Sequence, residues 1–267
     1  MGVREIRRRV RGIKSTLQVT RALELVAGVK LRIAQERVQN FRPYAEGLRA
    51  LVQDLGEIQT QFQEKGPRCL ILITSDMGLA GGYNAALYQE LGSFDSWDGH
   101  LVVGRKGRDM LKKREAPIWD EFLGLEDAPD REVALRIAKQ IRELLSQRKA
   151  QLYLLYNQFQ AKIEQRPVLM RLIPPDFSEK ATKDPPYIFE PTESILLDRL
   201  LTSYLEASLH LALLEAKASE HASRMRAMDA ATSNGEDLLD DLALQLNRIR
   251  QGQITAEIAE ILGGVEG

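Results

Sequence analysis

Residues 193–262 read ESILLDRLLTSYLEASLHLALLEAKASEHASRMRAMDAATSNGEDLLDDLALQLNRIRQGQITAEIAEIL, about seventy positions without a proline. Apolar or small residues recur in them at alternating spacings of three and four. The series is Leu197, Leu200, Tyr204, Ala207, Leu211, Leu214, Ala218, His221, Met225, Met228, Thr232, Gly235, Leu239, Leu242, Leu246 and Ile249. That spacing is the heptad of a helix that supercoils left-handed around a partner. Asn234-Gly235 ordinarily ends a helix. The heptad resumes in phase at Leu239, however, which predicts one continuous helix with a weak spot, since glycine costs about 1 kcal/mol in a helix interior.

The partner stripe lies at the other end of the chain. Ile6, Val10, Ile13, Leu17, Thr20, Ala27, Leu31, Ala34, Val38, Phe41, Ala45, Leu48, Val52 and Leu55 keep the same rhythm, with the charged Glu24 in one seat. A helix over residues 3–63 would extend roughly 85–90 Å and needs another apolar stripe to cover its own. The two terminal segments therefore pair as an antiparallel coiled coil.

Residues 66–191 differ in character. The short apolar runs at 69–74, 101–103 and 152–156 suit buried parallel strands. Helical patterns at 85–91, 107–113 and 131–147 alternate with them, which argues a parallel sheet with helices on both faces. Residues 174–191 hold five of the ten prolines and read as extended loop. The chain thus divides into an N-terminal coiled-coil helix (1–65), a Rossmann-like α/β domain (66–192) and a C-terminal coiled-coil helix (193–267), the α/β domain being inserted between the helices at one end.

Bulk properties exclude several classes. A formal net charge of −1 gives no global attraction to nucleic acid. One cysteine, Cys69, rules out an internal disulfide, and His100, His210 and His221 are too dispersed in sequence to suggest a metal cluster. No run of about twenty apolar residues is present, and the charged N-terminus carries no apolar signal core.

The glycine loop at 75–84, SDMGLAGGYN, follows a strand and precedes a helix. Its G-x-x-G-G spacing is neither a dinucleotide fingerprint nor a P-loop, so it reads as a tight turn whose glycines take positive φ or allow close packing. Arg4, Arg7, Arg8, Arg9, Arg11 and Lys14 lack interleaved aromatics and read as a solvated or acid-facing helix surface. His221 reads as a packed core residue, and Met225 and Met228 as soft packing. Two rival functions are a small nucleotide-binding enzyme with helical arms and a coiled-coil scaffold or nucleic-acid binder. Nucleotide affinity and salt-dependent nucleic-acid affinity of the isolated chain separate them.

Several stretches resemble the gamma subunit of F-type ATP synthases. They include Arg4-Glu5-Ile6-Arg7-Arg8-Arg9-Val10, Arg21-Ala22-Leu23-Glu24-Leu25-Val26-Ala27, Arg42-Pro43-Tyr44-Ala45 and the glycine loop. Tyr187-Ile188-Phe189-Glu190-Pro191, Ser219-Glu220-His221-Ala222-Ser223-Arg224-Met225 and Arg250-Gln251 with Ile254-Thr255 add to the resemblance, in the same order along the chain. It implies a non-catalytic rotor shaft without cofactor. The coiled coil would stand in a hexamer of alpha and beta subunits, with the α/β domain and an epsilon subunit resting on a membrane ring of c subunits. The location implied is peripheral, at the cytoplasmic face of a bacterial membrane. Leu23, Glu220, Arg224, Arg250, Gln251 and Thr255 would contact the hexamer or couple the shaft to it, and Tyr187, Phe189 and Glu190 would meet the c ring. Met77 stands where the family commonly has arginine, Ala80 where it has cysteine, and Leu23 and Leu25 where it has methionine. These departures leave open a divergent second ATPase such as the N-type branch.

Overall fold

The computed structural model describes residues 3–54, 66–94, 97–127, 129–148, 150–160, 165–175 and 193–265. Two long helices lie at the chain ends, α1 (Val3–Asp54) and α5 (Glu193–Val265). Between them run β1 (Arg68–Ile73), α2 (Tyr83–Gly92), β2 (Gly99–Val103), α3 (Arg105–Lys113), β3 (Ile118–Phe122), α4 (Arg131–Arg148), β4 (Gln151–Phe159) and β5 (Gln165–Ile173). Compact packing divides the chain into two units. One holds residues 1–26 and 224–267, the other 27–223.

In the first unit the N-terminal part of α1 pairs with the C-terminal part of α5. Thr20 Oγ1 lies 2.8 Å from Thr232 Oγ1, and Arg21 pairs with Glu236. A Cβ built on Gly235 would stand 2.5 Å from Leu17 Cδ2. From Leu17–Gly235 to Thr20–Thr232 the numbers rise on one helix as they fall on the other, so the helices are antiparallel. Thr20 and Thr232 are heptad residues that satisfy each other's hydroxyls inside the seam, which removes the penalty of burying them. Gly235 is a close-approach residue within an unbroken helix. Ile6, Leu17, Met228 and Leu242 are buried on the same seam.

In the second unit a five-stranded sheet has the order β3-β2-β1-β4-β5. The first four strands are mutually parallel, whereas β5 runs antiparallel to β4. The sheet is therefore mixed, which corrects the all-parallel expectation. β3 and β5 escaped sequence reading because neither is a fully apolar run. Both are edge strands, β3 carrying Asp120 and Glu121, and β5 carrying Pro167, which an edge tolerates. One face packs on α2 and α3 through Leu70, Leu72, Tyr83, Leu87 and Leu111. The other packs on α4 and α5 through Ile71, Leu154, Ile137, Ile141, Leu209 and Leu213.

The part of α1 in this unit keeps its heptad. Ala27, Leu31, Ala34, Val38, Ala45 and Val52 are buried, and Phe41 meets the ring of His210 edge-on at 4.5 Å. From 212 to 223 every residue of α5 is buried. A helix buried all round lies between two apolar surfaces; here they are α1 on one side and the sheet on the other.

Candidate functional site

In doubly wound sheets, ligands bind where the strand order reverses, outside the carboxyl ends of the strands. Here that point is the β1/β4 junction, and the chain's own side chains close it. Asn157, at the end of β4, donates from Nδ2 to Tyr83 O at 2.9 Å, and its backbone carbonyl accepts from Ser219 Oγ at 3.1 Å. Tyr83 Oη donates to Ala216 O at 3.1 Å, and Ser223 Oγ to Ala80 O at 2.7 Å. A void of about 10 Å³ remains among Thr74, Asp76, Lys217 and Glu220. That is room for about one water, against several hundred Å³ for a small-molecule site.

The glycine loop is equally occupied. Asp76 Oδ1 accepts the backbone N–H of Arg105 at 3.1 Å and that of Gly124 at 3.1 Å. Thr74 Oγ1 takes the N–H of Gly107 at 2.8 Å. The start of α3, where a phosphate could sit, thus already holds a carboxylate and a hydroxyl. Gly81 has φ 54, but the other positive φ in the loop belongs to Leu79 at 60, rather than to Gly78. A wider open groove of about 490 Å³ lies between α4 and the end of β3, lined by Phe122, Leu125, Val133, Arg136, Ile137 and Glu143. It gathers no nucleophile–base pair. Among the described residues no group of three or more His, Cys, Asp or Glu could hold a metal ion.

Buried charge concentrates on the helices instead. Arg42 of α1 donates to Glu215 Oε1 of α5 at 2.6 Å and to Phe159 O of β4 at 2.9 Å. Glu215 is 1% exposed. Its burial pushes the carboxyl above the ordinary range, and the hydrogen bond and charge of Arg42 pull it only partly back. Burial, then the Glu215 charge, raises the Tyr156 phenol beside it. Lys217 and Glu220 pair at 3.2 Å, both largely buried. His221 Nε2 lies 3.7 Å from Asp127 Oδ1, and Asp127 also accepts from Lys30 Nζ at 2.6 Å. Partial burial raises the Asp127 carboxyl, but the Lys30 hydrogen bond and then the His221 charge outweigh it, so its pKa is lowered.

The two carboxylates act oppositely on stability. The native form of Glu215 binds its proton more readily than the unfolded chain does, so its contribution falls as pH rises from the ordinary 4.5 through its raised native value. Asp127 contributes stability at neutral pH and loses it as pH falls from 3.8 through its lowered native value. Glu215→Gln should therefore gain on the parent as pH rises above about 4.5. Urea melts of both proteins across pH test this, and a constant difference between them would refute it.

The residues singled out by resemblance fall in different settings. Leu23 and Arg224 are half-buried in the first unit, where Arg250, Gln251 and Thr255 are exposed on α5. Thr255 Oγ1 donates to Gln251 O at 2.9 Å, one turn back. Glu220 belongs to the second unit, 4% exposed beside Lys217. Tyr187, Phe189 and Glu190 lie outside the described residues. Arg4, Arg7, Arg8, Arg9, Arg11 and Lys14 are all exposed. Sequence reading missed Arg42–Glu215 as a pair. An arginine and a glutamate beside the two heptad stripes were the available signal.

The first unit pairs the two chain ends antiparallel, and in the second unit described side chains fill the β1/β4 crevice, which is the character of a structural element rather than of a ligand-binding one. The ATP synthase family profile matches residues 2–267. An ATP synthase gamma chain of Desulfitobacterium hafniense is 41% identical over 273 residues, covering 98% of this chain and 97% of that one. One from Halothermothrix orenii is 38% identical over 281 residues, covering 99% and 98%. Among solved structures, the central stalk/c-ring of the Tetrahymena thermophila mitochondrial ATP synthase superposes with a TM-score of 0.64 at 26% identity, over 80% of this chain and 99% of that one. A chain of the Euglena gracilis enzyme has the same fold, with a TM-score of 0.74 at 19% identity over 98% and 93%. The chain belongs to the ATP synthase gamma-chain family. No helix among the described residues is long and apolar enough to cross a membrane.

Proposed function

We propose that this chain is the central rotor shaft of a rotary ATP synthase and carries no catalysis of its own. It couples ion flow through a membrane ring of c subunits to conformational cycling of a catalytic alpha–beta hexamer, with an epsilon subunit beside its α/β domain. The observation that carries this reading is the antiparallel pairing of the two chain ends through heptad seams; in the second unit, described side chains close the β1/β4 crevice. An asymmetric shaft that turns inside its partner biases each catalytic subunit in sequence.

The division into segments 1–65, 66–192 and 193–267 is one of labour: two shaft helices, and a foot that faces the ring. Leu23, Arg224, Arg250, Gln251 and Thr255 are the hexamer-facing set, and Glu220 acts from within through Lys217. Tyr187, Phe189 and Glu190 form the ring contact. The chain works peripherally, at the cytoplasmic face of a bacterial membrane.

Arg250 and Gln251 point about 100° apart on their helix and stand outside the seam, so they can reach two partner subunits. Replacing both by alanine in the assembled complex should lower ATP-driven ion pumping while leaving the melting temperature of the isolated chain unchanged. Normal pumping by a fully assembled double variant would remove both residues from the coupling set. Failure of the chain to co-purify with alpha and beta subunits from its source would overturn the rotor reading itself.

A further inference from the structure

The two long helices hold the α/β layer in different ways. α5 places Tyr204, Leu205, Leu209, Ala212, Leu213 and Ala216 in the apolar core of the sheet. From α1, among the described residues, Val52 enters that core. Among the described residues, α1 also reaches this layer with cationic side chains. Lys30 reaches Asp127 at 2.6 Å, Arg37 reaches Asp130 at 3.4 Å, and Arg42 reaches the Phe159 carbonyl at 2.9 Å. Lys30 and Arg37 are seven residues apart, on one face of α1.

Both carboxylates belong to one connection, residues 123–130, between β3 and α4. Its base is fixed, because Gly124 donates to Asp76 Oδ1, which also accepts Arg105 N. Its far end touches both long helices, since Asp127 meets Lys30 on α1 and stands 3.7 Å from His221 Nε2 on α5. We propose that Asp127, with Asp130 as a second point, is a positioning residue that fixes the register of α1 on the α/β layer. This rests on the rotor reading only for its consequence, which is that torque passing between foot and shaft slips when the tie is cut. Lys30 and Asp127 are 43% and 48% exposed, so water and salt screen the pair and its share of folding stability is small. Cutting it should leave the chain folded, so that a change in the distance between α1 and α4 is read as position.

The first test uses the full-length chain with spin labels at E36C and E132C, both exposed positions on α1 and α4. Cys69 is buried, and burial pushes its thiol up to about 12, so labelling is confined to the introduced sites. Pulsed electron resonance should give one narrow distance distribution in the parent and a broadened or shifted one in D127N/D130N. The swapped pair K30E/D127K should restore the parent's. An unchanged distribution in D127N/D130N would overturn the positioning role, and so would failure of the swap to restore it. The second test uses the assembled complex. D127N/D130N should lower ions pumped per ATP at least twofold while ATP hydrolysis stays within twofold of the parent. An unchanged ratio, or a parallel loss of both activities, would overturn the coupling consequence. If no complex assembles even with the parent chain, the rotor reading fails, and the distance measurement still decides the positioning role.

Discussion

Arg42→Ala should destabilise this chain by about 3–5 kcal/mol, the range for removing one partner of a buried ion pair. The guanidinium is the cation that meets Glu215, and it also satisfies the carbonyl at the end of β4. Without it, a carboxylate that is 1% exposed faces the Tyr156 phenol with its main compensating charge gone. Burial already raises that carboxyl, so at neutral pH the variant either ionises Glu215 at high cost or takes up a proton. For a chain of this size the loss corresponds to a fall in Tm of roughly 10 °C. Calorimetry of Arg42→Ala, Glu215→Gln and the double variant measures it. The double variant should recover more than half of the loss, because the stranded charge is gone. Equal losses in Arg42→Ala and the double variant would show that the arginine acts through the Phe159 carbonyl or its aliphatic stem instead.

Gly104→Ala should be nearly as damaging, by about 3 kcal/mol, for a reason unrelated to charge. Gly104 has φ 96, in the region that L side chains rarely adopt, and such strain costs roughly 1–3 kcal/mol. A Cβ there would stand 2.3 Å from the carbonyl oxygen of Thr74, a backbone atom held within the β1–β2 pairing. Relief requires moving the end of β1 or the start of α3, and Thr74, which follows β1, is bonded to β2 and α3: its hydroxyl donates to Val103 O and accepts from Gly107 N. Hydrogen exchange should show faster opening of Arg105, Gly107 and Gly124, whose amides this corner holds. An alanine variant with the parent's melting temperature and exchange pattern would mean that the corner relaxes freely.

The seams were legible because they repeat. Every described member of both heptad series is buried or half-buried, including Thr20 and Thr232, whose hydroxyls would ordinarily argue against a core place. Glu24 is half-buried in its seat. The continuous α5 across Asn234-Gly235 was also readable from phase alone, whereas the reason for the glycine, the approach of Leu17, needed the second helix. The sheet was half legible. β1, β2 and β4 announce themselves as apolar runs, but β3 and β5 are edges, where polar residues and a proline are allowed. The total burial of 212–223 had a trace in the sequence, since Leu205, Leu209 and Leu213 make a second stripe at spacing four beside the heptad. Which side chains fill the crevice was not legible at all. Ser219, Ser223 and Asn157 lie far from Tyr83 and Ala80 in sequence, and nothing local marks them as partners.

The carboxylate of Asp76 has one more effect. A βα corner with free amides is open to whatever anion the surroundings supply, and its order then varies with that supply. Here the seat is taken by a group covalently part of the chain, present at one equivalent whatever the concentrations of phosphate and nucleotide outside. The β1–α3 corner is thus closed by the chain itself, and these two amides need no outside anion as a partner.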